Sequence, residues 1–274
     1  MWREAYEVGR IVVDDIGEKN AGLISAGIAF YGLFAIFPGI AAIIAIFGLV
    51  ADPVVVANQL SQISELMPEE VFSLFDAQVT SLINASSPTL GLATAVSVAV
   101  ALWSVRAGVA ALMQGLNAIF ERPNRGLARG IFVALLMSAS LVAMAIVALL
   151  MVVVAPVVIA LVPFAQDQEL ILEVVRWSVV LLVLLFGLGI IYRYGPNRRG
   201  ERLGWITPGA VLVVVLWIGM SLAFTVYVAN FASYNEVYGS LGAVIALLFW
   251  FYLSAFLIMV GAALNVALDR RKPL

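Results

Sequence analysis

The chain has 274 residues, of which 64% are hydrophobic and only 12% are charged, and its formal net charge is −2. A globular domain ordinarily has about a quarter of its residues charged, so this composition indicates an integral membrane protein. The chain contains neither cysteine nor histidine, which excludes disulfides, thiol catalysis and metal sites built on histidine.

Residues 1–20 carry charges of both signs before any long apolar run begins. Tyr6, Ile11 and Val12 lie among these charges at helical spacing, which predicts an interfacial helix on the cytoplasmic surface. A cleavable signal peptide would place its apolar region earlier. The first apolar segment is therefore expected to serve as its own insertion signal.

Six apolar stretches approach the length of about 20 residues that a helix needs to cross a bilayer. They cover residues 22–50, 91–119, 131–162, 178–192, 205–229 and 241–268. The fourth stretch is short unless its helix begins nearer Leu170. The sequence predicts an all-α polytopic membrane protein with six transmembrane helices, folded as one domain over residues 1–274.

Lysine and arginine are concentrated before the first stretch, in every second connection and at the end of the chain, whereas the other connections are acidic. Basic connections face the cytoplasm in most membrane proteins. Both termini are therefore expected on the cytoplasmic side. The acidic connection over residues 51–90 is expected to be an amphipathic helical loop outside, either lying on the outer leaflet or forming a lid.

The first apolar stretch contains Tyr31 and the pair Pro38 and Gly39. A proline inside a helix leaves one carbonyl without its partner and kinks the axis. This pair predicts a hinge or a cavity wall, and a static kink fixed by packing is the alternative.

Arg106 lies inside the second apolar stretch, and no acidic residue falls within the core of any stretch. An arginine at the centre of a membrane helix costs about 2.5–3.5 kcal/mol on insertion scales. Asn117 returns to nearly the same helix face about 16 Å along the axis. Two interpretations are open: Arg106 binds an anionic ligand, or it bonds free backbone carbonyls at a break in another helix while Asn117 makes an interhelical hydrogen bond.

Two further polar clusters flank the fifth stretch. Tyr234, Asn235 and Tyr238 follow it and predict a polar aromatic patch at the outer interface, although aromatic belts there are common. Basic residues precede it and predict a topology signal with contacts to anionic lipid on the cytoplasmic side: Arg193, Arg198, Arg199 and Arg202.

Four segments resemble the YihY/BrkB family of bacterial inner-membrane proteins, some of which have carried the label ribonuclease BN. They are GIAFYGLFAIFPGIAAI (27–43), SVRAGVAALMQGLNAIFE (104–121), YRYGPNRR (192–199) and NFASYNEVYGSLGA (230–243). The resemblance implies a multi-pass location in the inner membrane and a role in moving lipids or other envelope amphiphiles. A nuclease is not expected, because phosphodiester hydrolysis normally needs clustered metal ligands or a histidine–acid pair.

The leading hypothesis is a transporter or flippase-like conduit for an anionic lipid, with no catalytic residue, metal or cofactor. In it Arg106 and Asn117 bind the phosphate, and Tyr31, Tyr234, Asn235 and Tyr238 line the route. The alternative is an envelope scaffold that organises partner proteins, with Arg106 structural. Anionic lipids are the expected partners and nucleic acid is not, while association with further copies of the chain or with an envelope protein stays open.

Overall fold

A computed structural model describes residues 2–50, 87–149, 166–198, 203–230 and 240–270. All regular structure in these ranges is helical. The helices are α1 (Trp2–Glu18), α2 (Ala21–Val50), α3 (Ser87–Ile119), α4 (Leu127–Leu149), α5 (Gln166–Tyr194), α6 (Pro208–Asn230) and α7 (Ser240–Asp269). The predicted all-α class is confirmed.

Each of the six predicted apolar stretches coincides with one of the helices α2 to α7. Five of them, α3 to α7, contain segments long and apolar enough to cross a membrane, and the adjoining helices α1 and α2, bent by 63° at Asn20, add a sixth if they form one broken span. The backbone of Asn20 is left-handed, with φ of 52°, a conformation that asparagine tolerates better than most residues. The predicted outer helix within residues 51–90 lies almost entirely outside the described residues.

The small residues of α3 bring it close to α2 and α7. A Cβ added to Gly108 would lie 3.4 Å from the Cβ of Tyr31, and one added to Gly115 would overlap the side chains of Met259 and Ile24. The helices approach because glycine has no side chain at these positions. This face of α3 is therefore packed within a single chain.

The crossing of α6 over α7 depends on Gly209 and Gly261. A Cβ on Gly209 would overlap the carbonyl oxygen of Gly261. Beside this contact the buried Asn265 side chain accepts a hydrogen bond from the Gly209 N–H at 2.9 Å and donates one to the Thr207 hydroxyl at 3.0 Å. The buried polar groups at this crossing thus satisfy one another.

The four basic groups of the sequence meet at one end of the bundle, which we call the basic end; its members in the described ranges include Lys19, Arg125, Arg198 and Arg270. Glu121 accepts hydrogen bonds from Lys19 at 3.1 Å and Arg270 at 3.2 Å, and Arg270 also pairs with the buried Asp15 at 3.2 Å. These contacts join α1, the α3–α4 connection and the end of α7. Described members of the basic groups therefore lie close together, and the side of the membrane that they face stays a prediction.

Candidate functional site

A cavity of about 330 Å³ lies between α3 and the start of α4. We call it the Arg106 cavity, and its lining residues are Arg106, Ala110, Met113, Gln114, Asn117, Asn124, Arg125, Leu127, Gly130 and Ile131. Four of the five members from α3 (Arg106, Ala110, Met113 and Asn117) recur every three or four residues and so occupy one helix face, and Gln114 lies beside them. The structure therefore brings Arg106 and Asn117 to one cavity that runs toward the basic end.

Arg106 has no hydrogen-bond or ion-pair partner in the part of the chain that the structure describes. Its guanidinium carbon lies 4.3 Å from the centroid of the Trp103 ring, and its Nε is buried without a hydrogen bond. A cation–π contact contributes about 0.5–2 kcal/mol, whereas an arginine at mid-membrane costs about 2.5–3.5 kcal/mol. The contact with Trp103 therefore leaves about 0.5–3 kcal/mol of this cost uncompensated. No described backbone carbonyl accepts a hydrogen bond from Arg106, so the carbonyl interpretation finds no support there.

Carbonyl binding does occur in the same cavity, but at Arg125. Its guanidinium donates to the carbonyl oxygens of Gly195 at 2.6 Å, Tyr194 at 2.8 Å and Pro196 at 2.8 Å. These carbonyls lie at and just after the C-terminus of α5, where the last carbonyl groups of a helix have no intrahelical hydrogen-bond donor. Arg125 supplies donors to them. From the sequence, Arg125 is only one of the basic residues that predict topology, and no local pattern predicts this carbonyl contact.

Asn117 is buried and joins two connections. Its side-chain oxygen accepts a hydrogen bond from the Asn197 N–H at 2.7 Å, and its amide nitrogen donates to the Asn124 side chain at 2.9 Å. These bonds give Asn117 a structural role, although both partners lie in connections and not in another helix. Its predicted role as a ligand contact would depend on the second hydrogen of the amide nitrogen.

Tyr31 is not brought to the Arg106 cavity. It packs against Gly108 of α3, which lies two residues beyond Arg106 and so on a different face of the helix, and its ring meets Phe30 edge to face. Pro38 and Gly39 lie within the continuous helix α2, and their predicted hinge stays a prediction. Further predicted contact residues lie outside the described residues: Tyr234, Asn235, Tyr238, Arg199 and Arg202.

Arg193 and Arg198 are engaged within the protein. Arg193 donates to the Leu203 carbonyl at 2.8 Å and lies over the Trp205 ring at 5.0 Å. Arg198 pairs with Asp269 at 2.9 Å, and only 8% of its side chain is exposed. Both arginines therefore hold the segment between α5 and α6 in place, and their predicted contact with lipid stays a prediction.

Two other cavities are almost wholly apolar. One, of about 520 Å³, lies between α4, α5 and Trp205, and the other, of about 270 Å³, lies between α4, α5, α6 and α7. Apolar clefts of this kind suit hydrocarbon. Among these three cavities, only the Arg106 cavity has charged groups in its lining.

Comparison with known proteins places the chain in a family. The family described as virulence factor BrkB matches residues 12–273. YfkH of Bacillus subtilis, whose name describes it as ribonuclease-like, is 31% identical over 258 residues, which cover 91% of this chain and 90% of the relative.

Shorter similarities connect the chain to two UPF0761 membrane proteins. One from Xanthomonas oryzae is 40% identical over 86 residues, which cover 31% of this chain and 20% of the relative. One from Idiomarina loihiensis is 30% identical over 95 residues, which cover 35% of this chain and 33% of the relative. No solved structure matches the chain.

Proposed function

The chain belongs to the virulence factor BrkB family of membrane proteins, and we propose that it is a conduit that moves an anionic lipid, or another anionic envelope amphiphile, across the bacterial inner membrane. In this proposal both termini are cytoplasmic, the basic end faces the cytoplasm, and no reaction is catalysed. The proposal rests chiefly on Arg106. Its guanidinium lines a cavity and has no carboxylate partner among the described residues.

An anionic ligand would supply the partner that Arg106 lacks. Charged residues inside membrane segments almost always pair, bond backbone carbonyls or face a polar cavity, and they commonly mark substrate pathways. The guanidinium presents a planar fork of donors that matches the oxygens of a phosphate or carboxylate. Its contact with Trp103 supports the side chain without using those donors in hydrogen bonds.

The shape of the Arg106 cavity suggests a route for the charged group alone. The cavity follows α3 from Arg106 past Gln114 and Asn117 to Asn124 and Arg125 at the basic end. This distance is about 16 Å between Arg106 and Asn117, a large part of one leaflet. A phosphate would travel along this polar face while its acyl chains stay in the surrounding lipid.

The chemistry of the chain argues against nuclease activity, although the name of YfkH describes that relative as ribonuclease-like. The chain has no histidine or cysteine. No group of three acidic side chains that could hold a metal ion occurs in the described ranges. We therefore expect no metal-dependent cleavage of RNA by the purified protein, and this expectation is checked with a labelled RNA and Mg²⁺ or Mn²⁺.

The proposal is tested in liposomes that contain the reconstituted protein and a trace of head-group-labelled phosphatidylglycerol. The assay measures the fraction of label that moves between leaflets over time. Arg106→Ala should reduce the rate at least about tenfold, because it removes a charge-assisted contact worth about 1.5–3 kcal/mol. Arg106→Lys should keep part of the rate, since the charge remains but the planar fork is lost.

Arg10→Ala is the matched control, because Arg10 is an exposed arginine of α1 that pairs only with Asp14 on the same helix in the described structure. It should transfer lipid at the wild-type rate. Transfer by Arg106→Ala at that rate would contradict the role of Arg106, and no transfer by the wild type would contradict the conduit. No transfer by the wild type, together with a loss of thermal stability in Arg106→Ala, would favour the scaffold.

A further inference from the structure

A fourth cavity, of about 370 Å³, lies at the basic end where the α3–α4 connection meets the segment after α5. We call it the loop cavity, and it is lined by Arg122, Pro123, Asn124, Arg125, Gly126, Arg129 and Asn197. Three of these residues are arginines and none is acidic. Asn124 and Arg125 also line the Arg106 cavity, so the two cavities are neighbours.

The arginines of the loop cavity differ from the other basic residues around them. Lys19, Arg198 and Arg270 all form ion pairs with carboxylates. The side chains of Arg122 and Arg129, by contrast, have neither a hydrogen bond nor an ion pair with any residue that the structure describes. The loop cavity therefore gathers positive charge that no described acid neutralises, whereas Lys19, Arg198 and Arg270 are each paired with a carboxylate.

The pKa of Arg125 reflects the same excess of positive charge in the loop cavity. Burial, and then repulsion from the Arg129 guanidinium, lower the pKa of Arg125 from its ordinary value. Because Arg125 is held by three carbonyl oxygens at the end of α5, it cannot turn away from Arg129 without losing those bonds. An anion between the two guanidinium groups would relieve the repulsion.

The backbone adds further donors to the loop cavity. The first helical hydrogen bond of α4 runs from the Gly130 N–H to the Gly126 carbonyl at 2.8 Å, so the N–H groups of Leu127, Ala128 and Arg129 precede the hydrogen-bonded ladder. Gly126 has no side chain to cap them, and a Cβ added there would meet open space. The helix dipole also favours an anion at this end.

We propose that the loop cavity binds a phosphate group, held by Arg122, Arg129 and the first N–H groups of α4, with Arg125 as a fixed positive neighbour. Arginine forks bind phosphate oxygens in pairs, and helix N-termini bind phosphate through their N–H groups. The phosphate belongs either to an anionic lipid head group or to a soluble phosphate compound. This site does not depend on lipid transport through the Arg106 cavity.

The site is tested by isothermal titration of the detergent-solubilised protein with inorganic phosphate, and with water-soluble dihexanoyl phosphatidic acid as the lipid probe. The ionic strength is held constant with chloride. The double variant Arg122→Gln and Arg129→Gln should weaken binding at least about tenfold. The double lysine variant should weaken it less, because lysine keeps the charge.

Arg10→Gln is the control, because Arg10 pairs only with Asp14 on its own helix in the described structure, and it should bind both probes as the wild type does. Binding of both probes would identify a soluble phosphate site, and binding of the lipid probe alone would identify a lipid head-group site. The proposal is overturned if the wild type binds neither probe, or if the double glutamine variant binds with wild-type affinity. Loss of binding in Arg106→Ala but not in the double variant would also overturn it and move the site to the Arg106 cavity.

Discussion

Arg125 should be a major determinant of stability, although it lies in a short connection and lacks a carboxylate partner in the described structure. Arg125→Gln removes the three hydrogen bonds to Gly195, Tyr194 and Pro196. Bonds to a charged group contribute about 1.5–3 kcal/mol each, but bonds of one side chain are not additive, and this side chain is only half-buried. About 1 kcal/mol per bond gives about 3 kcal/mol, or a fall in Tm of about 6–12 °C.

The six tryptophans of the chain allow thermal unfolding in detergent to be followed by intrinsic fluorescence. Arg129→Gln is the matched control, since Arg129 lies one helical turn away, is exposed, and makes no side-chain hydrogen bond with the described residues. Arg125→Lys should fall between the two, because an ammonium group on a shorter reach cannot bond all three carbonyls. Equal values of Tm for Arg125→Gln and Arg129→Gln would refute the proposed clamp on α5.

Two other regions give predictions with internal controls. Gly209→Ala should destabilise the protein by at least about 2 kcal/mol, because the new Cβ overlaps a carbonyl oxygen of α7 and overpacking forces the backbone to move. Gly219→Ala is the control on the same helix. A Cβ added at Gly219 would have nothing within 4 Å, so this variant should be neutral or slightly stabilising. Similar unfolding temperatures for the two would contradict the close crossing. The hydrogen bond and charge of Lys19 lower the pKa of Glu121 from 4.5, so this stabilisation is present above pH 4.5 and is lost as pH falls through the folded-state pKa. Thermal stability should therefore fall less on acidification in Glu121→Gln than in the wild type, and parallel curves would count against the interaction.

The helices could be located from the sequence because apolar length fixes a membrane span. The stretch predicted over residues 241–268 differs from α7 by a residue at each end. The difference is larger at the start of α5, which begins at Gln166, twelve residues before the predicted residue 178. Within this added part of the helix, Glu173 accepts hydrogen bonds from Arg176 and Trp177 at the i+3 and i+4 spacings that stabilise helices.

The candidate site was predictable only along one helix. Helical periodicity placed Arg106 and Asn117 on one face, and the structure puts both in one cavity. The partners of Arg125 are carbonyls some 70 residues away, and no local pattern specifies which arginine will reach them. Tyr31 packs against Gly108, a contact that depends on the register between α2 and α3 and so on no local pattern, and its predicted place along the route stays a prediction.

Arg106 and Arg125 line the same cavity, but only Arg125 has hydrogen-bond acceptors among the described residues. This difference bears on whether Arg106 binds a ligand or has a structural role. The fold satisfies Arg125 with three carbonyls, whereas Arg106 has only the Trp103 ring among the described residues. If Arg106 is structural, Arg106→Leu should lower Tm. If Arg106 instead serves to bind a ligand, Arg106→Leu removes the desolvation penalty of the charge and fills the site with apolar atoms. Such replacement of a buried charge often leaves the folding stability unchanged or raises it. We therefore expect Arg106→Leu to unfold at the wild-type temperature or above it while losing lipid transfer, a trade of stability for function that is common at binding sites. A fall of several degrees in Tm would contradict this expectation and assign Arg106 to the fold.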